Sequence, residues 1–331
     1  MSNTNEQFRV AVLDDYQNVA LSMADWSPLK ARASITVFND HNADLEHLIS
    51  RLLPYDAVCV MRERTPMTRA IIERLPKLRL IASTALRNAS IDVKAAAERG
   101  VQVVHTGYSS APTIELTWAL ILAGARHIVE ENASLRSGGW QRHIGEDLGG
   151  RTLGILGLGN IGTPVAQIAR AFGMRVIAWS QNLTAERAAA AGAEFVAKDD
   201  LFRQADILTI HMVLSERSRG LVGSAELALM KPTARLVNTS RGPIVVEADL
   251  LDALRNNKIA GAAVDVFDQE PLPLDHPFRS QLNLLATPHI GYVSRGLYQR
   301  FYQDTVDNIV KWLDTQAYDD HQTVSRKNHN G

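Results

Sequence analysis

Short apolar runs alternate with helical patterns along almost the whole of this chain, and that alternation restricts the possible folds more than any other feature. Val10–Leu13, Ile35–Phe38, Ala57–Met61, Leu80–Ser83 and Val101–Val104 are too short for helices and carry no polar face. Strands buried on both sides of a parallel sheet look like this. Helical patterns fall between them at Ala43–Leu53, Arg69–Leu75 and Asp92–Arg99. Parallel neighbours need such crossovers, so the expected class is α/β with sheets covered on both faces.

A second series starts at Thr152, with strands expected at Thr152–Leu156, Arg175–Trp179, Ile207–Ile210, Arg235–Asn238, Ala262–Val266 and Leu284–Ala286. Between the two series, Thr113–Glu131 reads as one long buried helix opened by Pro112. The cluster Ser137-Gly138-Gly139-Trp140 breaks the pattern after it. Leu297–Leu313 reads as a closing helix, and the polar tail from Ala317 is expected to be mobile. A chain of 331 residues suits two domains.

Charge excludes several function classes. Lys plus Arg number 35 and Asp plus Glu 36, so no global field draws the chain to nucleic acid or an anionic membrane. The single cysteine, Cys59, lies in an apolar run and reads as a buried strand residue; it can form neither an internal disulfide nor a thiolate metal cluster. The first residues, MSNTNEQFRV, lack a signal-peptide pattern, and Leu116–Ala125 is too short to span a bilayer. A cytoplasmic location is expected.

Gly157-Leu158-Gly159-Asn160-Ile161-Gly162 follows the strand Thr152–Leu156 and opens the helical pattern Ile161–Phe172. In that setting the glycines have separate uses: a tight turn at Gly157, close backbone approach at Gly159, helix–strand packing at Gly162. Free N–H groups at the helix start then face a pyrophosphate. The end of the next strand, Ser180-Gln181-Asn182, lacks the carboxylate that usually reads the ribose of NAD about 20 residues on. No Arg or Lys follows at once either, since Arg187 is the first. The balance is toward NAD, with NADP left open; Ser180 or Asn182 could serve either.

Three charged or titratable residues each follow a second-half strand: Arg241 in Asn238-Thr239-Ser240-Arg241-Gly242, Glu270 in Phe267-Asp268-Gln269-Glu270-Pro271, and His289 in Thr287-Pro288-His289-Ile290-Gly291. The carboxyl ends of parallel strands line the ligand crevice in open α/β sheets. Each residue alone has a bland reading as a surface ion pair or a structural imidazole. Three together, behind a nucleotide fingerprint, point to chemistry.

These ordered motifs resemble the D-isomer-specific 2-hydroxyacid dehydrogenases, from about Val10 to about Leu313. The likeness is densest in Gly154–Gly162, Leu236–Leu254, Gly261–Pro271 and Thr287–Gly291. The resemblance implies that Arg241, Glu270 and His289 are catalytic and that Gly157, Gly159, Gly162, Thr239 and Asp265 hold the cofactor. Asn160, Ile161, Ser180 and Gly291 are further cofactor candidates. It also implies two Rossmann-like doubly wound domains. A nucleotide domain over 113–296 would be inserted into a flavodoxin-like substrate domain formed by 1–112 and 297–331. The expected assembly is a homodimer using the Thr113–Glu131 helix and the Ser137–Gly149 loop.

The expected reaction moves a hydride between a nicotinamide and C2 of a small 2-hydroxy or 2-keto acid. His289 would exchange the oxygen's proton, Glu270 would fix the ring and stabilise its cation, and Arg241 would present a planar fork to the carboxylate and carbonyl. No metal is required.

The sequence departs from the family at the substrate end. Many members carry Gly-x-Gly after the fourth strand, where this chain has Ala85-Leu86-Arg87. Backbone donation there is expected to survive if the turn keeps φ negative. Arg62, Arg64 and Arg87 together suggest a dianionic substrate such as 3-phosphoglycerate, with hydroxypyruvate or glyoxylate as the simpler choice. The chain ends soon after the last helix, so the regulatory domain of some phosphoglycerate dehydrogenases is not expected. Val213 stands where the family often has Pro, which suggests a small change beside the cofactor. Two other functions stay in view. One is a nucleotide-sensing, co-repressor-like binding protein on the same fold. The other, a formate dehydrogenase, is disfavoured by the carboxylate at Glu270.

Overall fold

In the computed structural model, which describes the backbone of residues 7–328 and the side chains of 7–316, every strand pairs in parallel. The chain divides into two compact units, Met1–Ser109 with Arg295–Gly331, and Ser110–Ser294.

The first unit has strands β1 (Phe8–Val12), β2 (Ala33–Val37), β3 (Ala57–Val60), β4 (Leu80–Ser83) and β5 (Gln102–His105). Their order is β2-β1-β3-β4-β5. Every residue of β3 and β4 is buried, as the unbroken apolar runs required. Cys59 lies among them, and burial pushes its thiol up to about 12, so it is inert at neutral pH. The C-terminal helix returns to this unit. Trp312 packs on Phe8 with ring centroids 5.3 Å apart, and the Gly107 amide donates to Asp304 at 2.7 Å. That helix spans Arg295–Asn328, longer than its apolar periodicity indicated. The tail from Ala317, expected to be mobile, continues this helix to Asn328, and its side chains lie outside the described residues.

The second unit has strands β6 (Thr152–Leu156), β7 (Arg175–Trp179), β8 (Glu194–Phe195), β9 (Ile207–Ile210), β10 (Arg235–Asn238), β11 (Gly261–Val264) and β12 (Leu284–Ala286). Their order is β12-β11-β10-β9-β6-β7-β8. The direction of travel reverses at β6, so the loop after β6 opens at a switch point of the sheet. Separate apolar cores cover the two faces, one around Phe202, Leu208 and Leu250, the other around Ile121, Ile155 and Val165.

One expected element is two. The helix read as Thr113–Glu131 ends at Arg126, and a second runs Ile128–Arg136. His127 between them has φ 51°, a left-handed conformation. The amide of Glu146 donates to the Ala125 carbonyl at 2.8 Å, and the His127 ring stacks on His143. A loop distant in sequence thus caps the helix, which periodicity alone does not reveal.

Candidate active site

The glycine loop has the geometry of a phosphate cradle. Gly157 sits at φ +102°, and a Cβ there would lie 2.6 Å from the His211 carbonyl oxygen. A Cβ on Gly162 would lie 2.2 Å from the Gly157 carbonyl oxygen, so helix and turn touch through bare backbone. A Cβ on Gly159 would meet nothing within 4 Å, leaving that stretch of backbone open to a ligand. Among the described residues, the amides of Leu158, Gly159, Asn160 and Ile161 meet no protein acceptor. The helix Gly162–Ala171 begins at once behind them, so its dipole adds positive potential. At the end of β7 the Ser180 hydroxyl is half-buried with no protein partner, as a ribose contact requires. These residues fit a dinucleotide. His211 beside them is neutral, its pKa pushed down to about 3 by burial, and Nε2 lies 3.0 Å from Thr209 Oγ1.

His289 occupies a strained turn after β12. Its φ is 51°, and its amide donates to Thr287 O at 2.9 Å. The strain is of order 1 kcal/mol and needs outside support. Asp265, just beyond β11, provides it. Its carboxylate accepts from Thr287 Oγ1 at 2.6 Å and from the amides of Ile290 and Gly291 at 2.8 Å each. Burial pushes the Asp265 carboxyl up, opposed by Thr287, the two amides and His289. Asp265 and Gly291, read as cofactor contacts, therefore form a clamp on both sides of His289. Thr239, read likewise, turns its hydroxyl to Thr117 at 2.8 Å and is buried.

The imidazole and Glu270 meet as expected: His289 Nδ1 lies 2.5 Å from Glu270 Oε2. The other Glu270 oxygen accepts from the Phe267 amide at 2.9 Å, which sets the carboxylate's direction. Nδ1 then carries the proton of that bond, and Nε2 remains without a protein partner among the described residues.

Arg241 reaches the same rim through β10. Asn238 shapes its loop, donating to the Arg241 carbonyl at 3.0 Å and accepting from the Ser240 amide at 3.0 Å. The guanidinium donates to Ser240 O at 2.7 Å. A Cβ on the next residue, Gly242, would lie 2.1 Å from the Phe267 carbonyl carbon. The Arg241 loop and the Glu270 loop are therefore pressed together backbone to backbone.

In the other unit the substrate candidates behave less uniformly. Arg62 and Ala85 both have positive φ, 54° and 67°, so the turn at Ala85 does not meet the condition of a negative φ. The amide of Ala85 is committed to Thr106 Oγ1 at 2.8 Å and that of Arg62 to Thr84 Oγ1 at 2.7 Å. Leu86 and Arg87 are exposed, and their amides have no protein acceptor among the described residues. Arg62 and Arg64 have different neighbours. Arg64 donates to Asp14 O at 2.6 Å and to the Tyr298 hydroxyl at 3.2 Å, and it lies over the Tyr16 ring. Arg62 lies over Tyr108 with Glu63 3.7 Å from its Nε.

Sequence reasoning missed Glu247 and His276. Glu247 accepts from the Asp268 amide at 2.8 Å, and its second oxygen is 3.2 Å from His276 Nε2. An acid in the first turn of a helix is too common to signal this, and a lone His signals nothing. Among the described residues no cluster of His, Cys, Asp and Glu could hold a metal, and no helix is long and apolar enough to cross a membrane.

Residues 118–291 match the family described as D-isomer specific 2-hydroxyacid dehydrogenase, NAD binding domain. The glyoxylate reductase of Aeropyrum pernix is 42% identical over 250 residues, 72% of this chain and 75% of that protein. The D-3-phosphoglycerate dehydrogenase of Methanocaldococcus jannaschii is 40% identical over 250 residues, which make up 74% of this chain and 47% of that protein. The solved phosphoglycerate oxidoreductase of Vibrio cholerae O395 is 38% identical with a TM-score of 0.89, over 93% of this chain and all of that one. With the glycine cradle inside the matched segment, these likenesses place the chain in the D-isomer-specific 2-hydroxyacid dehydrogenase family, NAD-dependent oxidoreductases acting on CH–OH groups.

Proposed function

We propose that the chain interconverts a small D-2-hydroxy acid and its 2-keto acid, with His289, Glu270 and Arg241 as the catalytic residues. The observation that carries this reading is the 2.5 Å bond between His289 Nδ1 and Glu270 Oε2, which leaves Nε2 as the ring nitrogen open to substrate. In reduction Nε2–H gives its proton to the carbonyl oxygen; in oxidation neutral Nε2 takes the hydroxyl proton. Glu270 holds the tautomer and offsets the imidazolium charge. Arg241 presents its fork to the carboxylate. NAD, when bound, accepts or supplies the hydride.

The unit Ser110–Ser294 is assigned to the cofactor, on the cradle of Gly157, Gly159, Asn160, Ile161 and Gly162 with Ser180. The other unit is assigned to substrate, because Leu86 and Arg87 offer two adjacent amide donors of the kind a carboxylate fills. Arg62 and Ala85 shape that rim. A monoanionic acid such as hydroxypyruvate or glyoxylate is favoured, since Arg64 is engaged inside its own unit and Glu63 stands beside Arg62. The names of the two phosphoglycerate relatives support phosphohydroxypyruvate as the second reading. Homodimer formation is proposed through Ile128–Arg136 and the following loop, where Ile128, Leu135, Trp140 and Ile144 expose apolar surface. The assembly is assigned to the cytoplasm.

Turnover of hydroxypyruvate, glyoxylate, pyruvate and phosphohydroxypyruvate with NADH and with NADPH tests the assignment. Tight cofactor binding without turnover of any acid would favour a sensor instead. His289→Ala should lower turnover by roughly 10²–10⁴ with cofactor affinity intact; an unchanged rate would mean that the proton moves elsewhere.

A further inference from the structure

The loop that carries Glu270 is held at its far side by a second carboxylate–imidazole pair. We propose that Glu247 and His276 are positioning residues for Glu270: together they staple the 266–276 loop so that the Glu270 carboxylate meets His289. This deepens the dehydrogenase reading and rests on it for the roles of Glu270 and His289.

Two consecutive amides of one turn face two carboxylates. Phe267 N–H donates to Glu270 at 2.9 Å, and Asp268 N–H donates to Glu247 at 2.8 Å. A rotation of that turn cannot move one bond without the other. Glu247 stands on the helix Glu247–Arg255, so one side of the turn is tied to a regular element. Its second oxygen lies 3.2 Å from His276 Nε2. His276 is fixed in turn, because Nδ1 accepts from the Phe278 amide at 3.3 Å and its ring meets Phe278 edge-on. With Nδ1 accepting, Nε2 is the protonated nitrogen and donates to Glu247. Phe278 is a buried core residue, so the staple ends in the packed core. The other ionisable groups acting on this turn are Asp268, raised by burial and by Glu247, and Arg219, which opposes that rise. The pair is more than a cap. A cap needs only Nδ1, whereas Nε2 and Glu247 reach back to the turn beside Glu270.

Two substitutions separate the two nitrogens. His276→Asn keeps an oxygen where Nδ1 accepts and loses the reach to Glu247. His276→Gln keeps a donor near Nε2. The readout is the downfield imidazole N–H proton resonance of the His289–Glu270 bond, assigned by its absence in His289→Ala and recorded on the whole protein without substrate. It does not depend on turnover, so a failed keto-acid panel would overturn the dehydrogenase reading and leave this measurement standing. The resonance should be displaced or lost in His276→Asn and retained in His276→Gln. On the preferred keto acid, kcat should fall about tenfold in His276→Asn, with KM and NADH affinity within about twofold. The double variant Glu247→Ala/His276→Asn should be no worse than Glu247→Ala alone, as two halves of one staple require. An unshifted resonance in His276→Asn, or additive losses in the double variant, would overturn the proposal.

Discussion

Adding one methyl group at Gly242 should damage catalysis without touching a functional atom. The Cβ of Gly242→Ala would stand 2.1 Å from the Phe267 carbonyl carbon, 2.3 Å from its oxygen and 2.6 Å from the Asp268 nitrogen. All three are backbone atoms, so no side chain can swing aside. The shortest distance falls 1.3 Å below the 3.4 Å at which ordinary contact begins. The Arg241 loop and the Glu270 loop must separate by about that amount, at a cost of roughly 1–3 kcal/mol of overpacking. Gly242 is not in the left-handed region, so the whole effect comes from the close approach. A displacement of about 1 Å between catalytic groups costs on the order of 10²-fold in rate. We expect kcat/KM for the preferred keto acid to fall by about that factor. NADH affinity should be nearly unchanged, because the glycine cradle lies behind β6 and not behind β10. Steady-state kinetics and NADH fluorescence titration on the folded variant measure both. A variant with wild-type kcat/KM would show that the spacing of these two loops does not matter to the reaction.

Two predictions concern stability. Ala85 is buried at φ 67°, so Ala85→Gly should relieve backbone strain of about 1 kcal/mol, less the added entropy of the unfolded chain. Urea unfolding should give a midpoint equal to or above that of the parent; a clear drop would mean that the Ala85 methyl matters more than its backbone. Burial alone would raise the Asp206 carboxyl, but the Lys231 ammonium at 2.7 Å and the Thr152 amide at 2.8 Å outweigh it and hold the group below its ordinary value. With the folded pKa below the unfolded one, this bond contributes stability at neutral pH and loses it as pH falls through the ordinary carboxylate range toward the folded value. Because Lys231 is more than a third exposed, the contribution is only about 1 kcal/mol. The stability gap between the parent and Asp206→Asn should therefore close as unfolding is repeated from neutral to acid pH. A gap independent of pH would contradict the sign.

Strand positions were legible where burial on both faces leaves an uninterrupted apolar run, as in Ala57–Val60 and Gly261–Val264. The glycine cradle was legible for a related reason: a tight turn and a bare helix start admit little but glycine. Arg241, Glu270 and His289 could be found because each follows its own strand, and parallel strands deliver their carboxyl ends to one rim. The residues that hold this machinery in place were not legible in the same way. Glu247 and His276 look like surface groups in one dimension, and the three loop donors on Asp265 leave no trace in the sequence.

What the sequence by itself determined, then, is periodic or local: two parallel sheets, a nucleotide turn, and three charged or titratable side chains that follow strand ends. What only the tertiary structure decided is set by atoms distant in the chain. The break at His127 follows from a loop amide reaching Ala125, the strain at His289 persists because Asp265 holds both sides of it, and Arg64 is drawn into its own unit by Asp14 and Tyr298. Such contacts leave no periodic trace, because a hydrogen bond between distant loops constrains one atom on each side and not a pattern of residues.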